Sequence, residues 1–589
     1  MMLMRKIRLN ISLTILFISF HYSIYLQVEE KDDIATQEIT IVKSNKPIIS
    51  NIFKIRSNPI ISDSLLEEKF YIKYDHISVP VVSTFIPNKA SPLKLQKQES
   101  SFLYNSYFSW GYGNQSQALI DFASMISIDR NQSMGVDFIF SSLGNQENKI
   151  LRSQQNYLAA SFLHLFKTNN YRVESSFKFD RRHINFYGLY SDYDWTNIPS
   201  FRPSLIDPEQ NLNYLKINSN WEWFNSIVKK IRFNTVLTID YFDNTEQLIN
   251  FDSEIRLPVF DFYLELKPNL SYVNTNFVSS FRQNVPLSNQ TSLLNLDFQI
   301  VNLGAKTNFK FGTKVFYLLG DSIEKTNIYF FPKVKFLYKP SYSSLSTFLE
   351  FDGDFNLNSF TTFSRINPYI FPSLKLRPTN IPYKGRLGIK NSFNSGLEFF
   401  LAAIYSRSES YPLFKRLPYV VSNNNLSYNM ATSYEVVYDR LDQLGLETGF
   451  LMRFNEHNKF SINTKYVNPE SFNEISAWNL PSIEIDFEAN FRFFNKIYLQ
   501  TNGKYIGRRD SAYHPVFLNA EFFDSKPEIK SLDAFLYFSS RLLYQTKSNW
   551  AFFFEFKNNF GNNYSRWAFY QDYNNNFLLG LRYKFDIIF

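Results

Sequence analysis

The sequence predicts an all-β protein: a transmembrane antiparallel β-barrel of about 22 strands, with both termini periplasmic. Three observations lead there. Apolar and polar residues alternate with a period of two from about residue 101 to the C-terminus. The alternating segments are about ten residues long, the length of a tilted strand across a hydrocarbon core. Tight turns and long loops follow one another in alternation between them.

The first element is an export signal. "MMLMRKIRLN" places Arg5, Lys6 and Arg8 ahead of the apolar run "ISLTILFISF". That is the basic-then-apolar order of a secretory signal peptide. Residues 1–26 are expected to be this signal, with cleavage near Leu26–Gln27. Its loss lowers the formal net charge from +8 to +5, because three cations leave. So small an excess gives no argument for a nucleic-acid partner, and none is expected. With no cysteine among 589 residues, neither a disulfide framework nor a lipid-modified N-terminal cysteine is possible. No later apolar run is long enough for a transmembrane helix.

Residues 27–100 differ from the rest of the chain. Prolines at 47, 59, 80, 87 and 92 break any long element. Two readings stay open: an extended periplasmic segment with one or two short strands, one of them at "ISVPVVSTFI", or a partly disordered leader.

The barrel is expected over residues 101–589. In "YRVESSFKFD", Tyr171, Val173, Ser175, Phe177 and Phe179 share one face. Arg172, Glu174, Lys178 and Asp180 fall on the other, as lumen-facing candidates. "IRFNTVLTIDY", "LLNLDFQI", "TNFKFGTKVFY" and "IEIDFEANFRF" repeat the pattern in the residue types that strands favour. A soluble sandwich also alternates. A fully charged second face and aromatic-rich strand ends favour a water-filled lumen and interfacial girdles.

The connections form an independent test. Tight turns are expected at "RNQ" (130–132), "KTNN" (167–170), "LGAK" (303–306), "NEHN" (455–458) and "TKSN" (546–549). Long loops are expected at 142–156, 190–211, 275–291, 356–383, 407–441, 508–530 and 560–575. Two more strand-like segments, "SLKLRP" and "SYEVVYD", break this order unless they belong to loops or strand extensions. Assigning them so leaves an even number of strands, as bacterial single-chain barrels require.

The closing segment "FLLGLRYKFDIIF" places Phe577, Leu579, Leu581, Tyr583, Phe585, Ile587 and Phe589 on a lipid-facing side. Gly580, Arg582, Lys584 and Asp586 face the lumen.

Catalytic chemistry is not expected. The six histidines have no metal-ligand spacing, and neither an H-E-x-x-H nor a G-x-S-x-G pattern occurs. "DRRHINF" (180–186) and "GRRDSAYH" (507–514) hold acid and base groups. They read as pore or loop charges that set a field. The chain is therefore read as a non-enzyme without metal or cofactor.

"INPYIFPSLKLRPTNIPYKGRLGIKNSFNSGLEFFLAAIYS" (366–406) resembles the late barrel of TonB-dependent receptors: an external loop with an Asn-Pro turn, a descending strand, a short turn and an aromatic strand. "FFFEFKNNFGNNYSRWAFYQDYNNNFLLGLRYKF" (552–585) resembles the family's C-terminus, and "AWNLPSIEIDFEANF" (477–491) adds a weaker likeness. The Phe, Asn and Lys bias is similar to barrels of the Bacteroidota type.

The resemblance implies the outer membrane of a Gram-negative bacterium, with outer-membrane lipid around the wall. The closing strand resembles the signal read by the barrel-assembly machinery, which implies that Tyr583, Phe585 and Phe589 carry it. Glu38, Ile39, Thr40, Ile41 and Val42, within "QEITIV", resemble a TonB-binding box. The chain departs from the family in one respect. Residues 27–100 are much shorter than its globular plug, so the resemblance is to plugless receptor-like barrels.

The expected function is a transport channel for small solutes. The alternative is a structural subunit with membrane-complex partners in an assembly or secretion machine. A third reading is a TonB-linked receptor whose ligand arrives from a surface lipoprotein. No loop carries a motif that names a substrate.

Overall fold

The computed structural model describes residues 105–587 except 147–148, 191–194, 196–202, 280–284, 305, 321–326, 342, 394–395, 419–425, 515–526, 547, 561–564 and 572–574. The signal (1–26), the segment 27–100, the stretch Glu38–Val42 and Phe589 lie outside the described residues.

Alternation along the chain becomes a closed wall. A 22-stranded antiparallel sheet runs from Ser106–Gly113 to Asn576–Phe585, each strand paired with its neighbours in sequence. First and last strands then pair, Ser106 opposite Phe585 and Gly113 opposite Leu578. Such closure leaves no sheet edge to be desolvated in lipid. Asn105 joins the seam: its N–H donates to Asp586 Oδ1 (2.9 Å) and its Nδ2 to Ile587 O (2.8 Å). Its Oδ1 accepts from the Ile587 N–H (2.9 Å).

The two faces of the wall invert the usual polarity of a soluble protein. Phe311, Leu444 and Leu579 are more than 60% exposed on the outside. On the inside, Glu265, Gln299, Asp297, Lys314 and Lys333 are buried. This is the polarity of a wall with lipid outside and a polar interior. The inner charges pair with one another, as Lys333 with Asp297 (2.5 Å), Lys314 with Asp352 (3.1 Å) and Lys557 with Glu555 (2.5 Å). An unpaired charge in such partly dehydrated positions costs several kcal/mol, roughly.

One rim carries short turns, at 128–131, 168–170, 224–227, 260–261, 304–306, 339–344, 393–396, 454–458, 494–496 and 546–549, and both ends of the described chain. The other rim carries the long connections 144–154, 186–208, 357–378, 417–433, 507–534 and 561–575. All five expected tight turns lie on the first rim. "SLKLRP" belongs to the connection 357–378, and "SYEVVYD" largely opens the strand Tyr434–Arg453.

Three long loops need correction. The stretch 275–291 shrinks to the connection 278–286, because Phe262–Phe277 and Leu287–Leu303 stay paired to Phe277 opposite Leu287. The stretch 407–441 is mostly strand: Leu397–Arg416 and Tyr434–Arg453 stay paired out to Arg416 opposite Tyr434, past a bulge at Ser408/Tyr411. The stretch 508–530 contains the hairpin strands Arg509–Tyr513 and Glu528–Leu532. Lipid imposes a period of two only within the bilayer. Beyond it, pairing continues while packing against other loops decides which side chains are apolar.

Candidate functional site

The long connections meet one another over the barrel's end. The most informative is 357–378. Ser359 caps a short helix, Phe360–Ile366, by accepting from the Thr362 N–H (3.0 Å). Asn367 and Pro368 end it, since proline cannot continue the ladder. The connection leaves the wall between Leu345–Asn356 and Thr379–Ser392, yet its helix rests on the inner face of strands several places round the ring.

Glu246, fully buried on the strand Thr245–Val259, holds the helix start. Its Oε2 accepts from the Phe360 N–H (2.7 Å) and from Thr275 Oγ1 (2.5 Å), its Oε1 from the Thr361 N–H (2.8 Å). A carboxyl there also complements the helix dipole. Tyr214 Oη lies 2.9 Å from Ser364 Oγ, and Thr238 Oγ1 lies 2.5 Å from Thr361 Oγ1. Arg365 pairs with Asp180 (3.6 Å) and sits over the Tyr214 ring (4.4 Å). A neighbouring turn grips the same connection: Asn244 Nδ2 donates to Pro372 O (2.7 Å) and to Asp240 Oδ2 (2.9 Å). Burial raises the Asp240 carboxyl to about 6, although its hydrogen bonds pull the other way.

Glu246→Ala strands two helix N–H groups in a buried site, a loss of about 3 kcal/mol. The expected result is roughly hundredfold faster amide hydrogen exchange over 360–366, with the wall strands unchanged. Unchanged exchange there excludes this anchor.

Arg416 ties three further connections together. It is fully buried, and its guanidinium donates to backbone carbonyls: Ala431 O (2.7 Å), Ala568 O and Gly188 O. Gly188 lies in a connection nearly opposite, in the ring, to the strand that Arg416 ends, so this contact crosses the opening. Tyr190 and Phe569 lie on the guanidinium, each with its ring centroid 4.6 Å away. Two acceptor segments are bent to reach it. Ala431 has φ 54° and Phe569 φ 66°, left-handed conformations that cost about 1–2 kcal/mol each outside glycine. Gly188 must lack a side chain, because a Cβ there meets the Tyr570 ring at 2.6 Å.

Aromatic rings fill the space around this clasp. Tyr369 and Tyr570 stack at 3.5 Å, Tyr570 Oη donates to Thr432 O (2.5 Å), and Trp567 packs edge-on against Phe414 and Tyr434. Burial drives the Tyr570 phenol far above its ordinary pKa. Arg509, also buried, donates to Ser565 O and to Arg566 O (3.0 Å), a second tie onto 561–575.

The residues singled out from sequence are scattered around the wall. Arg172 pairs with Glu174 (3.2 Å), Asp180 with Arg365, and Lys178 stands opposite Lys216 in the adjacent strand. Arg582 Nε donates to Ser109 Oγ (2.7 Å), its Nη2 lies 3.4 Å from Asp121, and its guanidinium covers the Tyr107 ring. Lys584 stands opposite Tyr107, while Asp586 lies just past the strand, at the seam with Asn105. Tyr583 packs on Trp550 (4.7 Å) and Phe585 (5.8 Å). His183 Nδ1 contacts Asn211 Oδ1 (2.9 Å), and the His514 N–H reaches Tyr190 Oη (3.4 Å). Among the described residues, no group of three or more His, Asp or Glu could hold a metal.

Reading by residue type missed Glu246, Arg416 and the helix. The Ser359 cap and the Asn367–Pro368 stop were visible signals for the helix. Neither buried group has a local signature.

Closed wall, apolar outer belt and loop-crossed end define the class: a 22-stranded transmembrane barrel matching TonB-dependent receptor-like outer-membrane proteins. The chain is similar in fold to the FrpB iron transporter from Neisseria meningitidis, at TM-score 0.57 and 10% identity over 82% of this chain and 81% of that one. The siderophore receptor PirA from Acinetobacter baumannii matches at TM-score 0.58 and 9% identity, over 82% and 80%. The pyoverdine outer membrane receptor FpvA from Pseudomonas aeruginosa matches at 0.56 and 10%, over 82% and 78%. Identity this low shows a shared fold. No protein-family model matches the chain, and no curated protein matches its sequence.

Proposed function

We propose that the chain is a transport barrel for small solutes, with passage set by its long connections and without a full plug. One observation carries this reading. The connection 357–378 reaches across the lumen and is anchored to the inner wall through Glu246 and Asp180. A wall that serves only as a structural subunit has no need of a helix fixed inside its own lumen. A pore uses such loops to set its opening and its field. The stretch 366–406, which resembles TonB-dependent receptors, falls partly on this connection. In this reading the short-turn rim and both termini are periplasmic, and the long connections face outward. The work is transport, with no catalytic step.

A receptor reading stands beside it, favoured by the iron transporter and the siderophore and pyoverdine receptors of similar fold. There, Glu38–Val42 pairs with TonB by strand addition and a surface lipoprotein delivers the ligand.

Planar-bilayer recording of the purified full-length chain tests the channel. Discrete conductance steps are expected, larger in Glu246→Ala. Correctly folded barrel that never conducts, with or without residues 27–100 and with or without Glu246, overturns it. Loss of an iron-complex uptake on deleting 37–42 favours the receptor reading instead.

A further inference from the structure

A second site lies on the inner wall near the short-turn rim, away from the helix and the Arg416 clasp. Between the strands Thr307–Gly320 and Leu397–Arg416 there is a cavity of about 470 Å³. Its floor is apolar, made by Leu337, Phe348 and Phe400. Its polar border is Lys310, Lys335, Arg386 and Lys390, with Glu350 as the one carboxylate among the lining residues.

These cations are incompletely neutralised. Lys335 and Arg386 share Glu350, at 3.4 and 3.3 Å, and Arg386 also reaches Glu447 (2.9 Å). Lys310 is 3.5 Å from Glu265, whose shorter partner is Arg256 at 2.6 Å. Lys390 is 3.8 Å from Glu398, which Arg453 holds at 2.6 Å. Carboxylates here are shared, and three lysines keep only long contacts. Arg386 lies over the Phe348 ring (5.5 Å), and its buried Nε has no hydrogen-bond partner.

We propose that this cavity binds an organic anion with a small apolar body, the class of an aromatic carboxylate. The anionic group takes the free hydrogen-bonding capacity of Lys335, Arg386 and Lys390. The body packs on Phe348 and Phe400. Charge without the apolar floor would favour any anion; the floor without charge would favour neutral solutes. Together they select molecules carrying both. A subsite of this kind deepens the transport reading, on which its biological meaning rests, although binding itself does not require conduction.

The test is fluorine NMR on the full-length chain in lipid nanodiscs, with empty nanodiscs as background. The probes are 4-(trifluoromethyl)benzoate and the matching cation, 4-(trifluoromethyl)benzylammonium. Saturable broadening is expected for the benzoate alone, weakened at least tenfold in Lys335→Gln/Arg386→Gln. Phe348→Ala, which keeps every charge, is also expected to weaken it. Should the double variant fail to assemble, Lys390→Gln supplies the charge comparison. Equal binding of both probes, no saturable benzoate binding, or charge variants binding as tightly as the wild type overturns the proposal. Saturable binding by a barrel that never conducts would sink the channel reading and leave this one standing. Conduction without binding would do the reverse.

Discussion

Replacing Arg416 with alanine is expected to free three long connections at once while the 22-stranded wall stays closed. The reason is where the guanidinium's donors go. Ala431, Ala568 and Gly188 offer it carbonyls from three separate connections. A buried carbonyl left without a donor loses about 1–3 kcal/mol. The facing Tyr190 and Phe569 rings lose a cation worth roughly another 1 kcal/mol. The positive φ values at Ala431 and Phe569 then have nothing to offset them. Together this is about 4 kcal/mol or more, a thousandfold rise in opening. Hydrogen exchange at 186–190, 431–434 and 565–571 is the measurement, with wall strands as internal control. Arg416→Lys should fall between, because one ammonium cannot present a planar fork to three acceptors. Protection equal to wild type in the alanine variant would show that the rings alone hold these loops.

Acidity acts on the same contacts. Burial, with Lys415 nearby, lowers the His514 imidazole to about 4. When the loops open, it returns to about 6.5. Below about 6.5 the released ring takes a proton that the packed ring refuses, so the packed state loses stability as pH falls from 6.5 to 4. The loss reaches up to about 3 kcal/mol. Asp240 works in the opposite sense, because its carboxyl is raised to about 6 in the packed turn. Its contribution is full below about 3.8 and is lost as pH rises through 6. His514→Gln should therefore flatten the acid side of an opening-versus-pH curve and leave the Asp240 side in place.

How much of the molecule is legible in its sequence depends on the range of the forces involved. A strand in a bilayer has lipid on one face and water on the other, so "YRVESSFKFD" and "FLLGLRYKF" record their own orientation residue by residue. Turn lengths are equally local, and they made the even count and the two rims legible. Glu246 reads as one more inward polar residue in "TEQLINFDSE". Its role comes from a helix more than a hundred residues away. Arg416, in "LFKRLPY", looks like part of a solvated basic pair. One acceptor, Ala431, lies in the connection that Arg416 opens, but Ala568 and Gly188 lie in connections elsewhere round the opening, and contacts between loops leave no period in the chain. For the same reason Leu397–Arg416 and Tyr434–Arg453 outran their expected ends: past the lipid, their pattern is set by the loops they carry.

Changing Tyr583 and Phe585 together to aspartate is expected to lower the amount of protein in the outer membrane by more than tenfold. Equilibrium solvation does not account for so large an effect. Both residues lie near the short-turn rim, where a carboxylate on the lipid face costs only about 1 kcal/mol. Most of the effect arises in assembly. Asn576–Phe585 pairs on both sides, with Trp550–Phe560 and with Ser106–Gly113, so it is the piece that closes the ring. Until it docks, two strand edges face lipid, each N–H and C=O unpaired at several kcal/mol, roughly. Tyr583 and Phe585 stack on each other, and Tyr583 packs on Trp550 of the preceding strand, which sets the register of that final pairing. Aspartates there remove the ring contacts and any aromatic pattern that assembly machinery reads. Arg582→Gln is the discriminating control. It directly precedes Tyr583 and faces the inner side, where its loss leaves Asp121 and Ser109 short of a partner. Its membrane level should stay within twofold of wild type by quantitative blotting of outer-membrane fractions. Equal levels for the double aspartate variant would mean that closure is directed from elsewhere in the chain. A matching fall for Arg582→Gln would mean that the strand's stability, and not its lipid-facing rings, limits assembly.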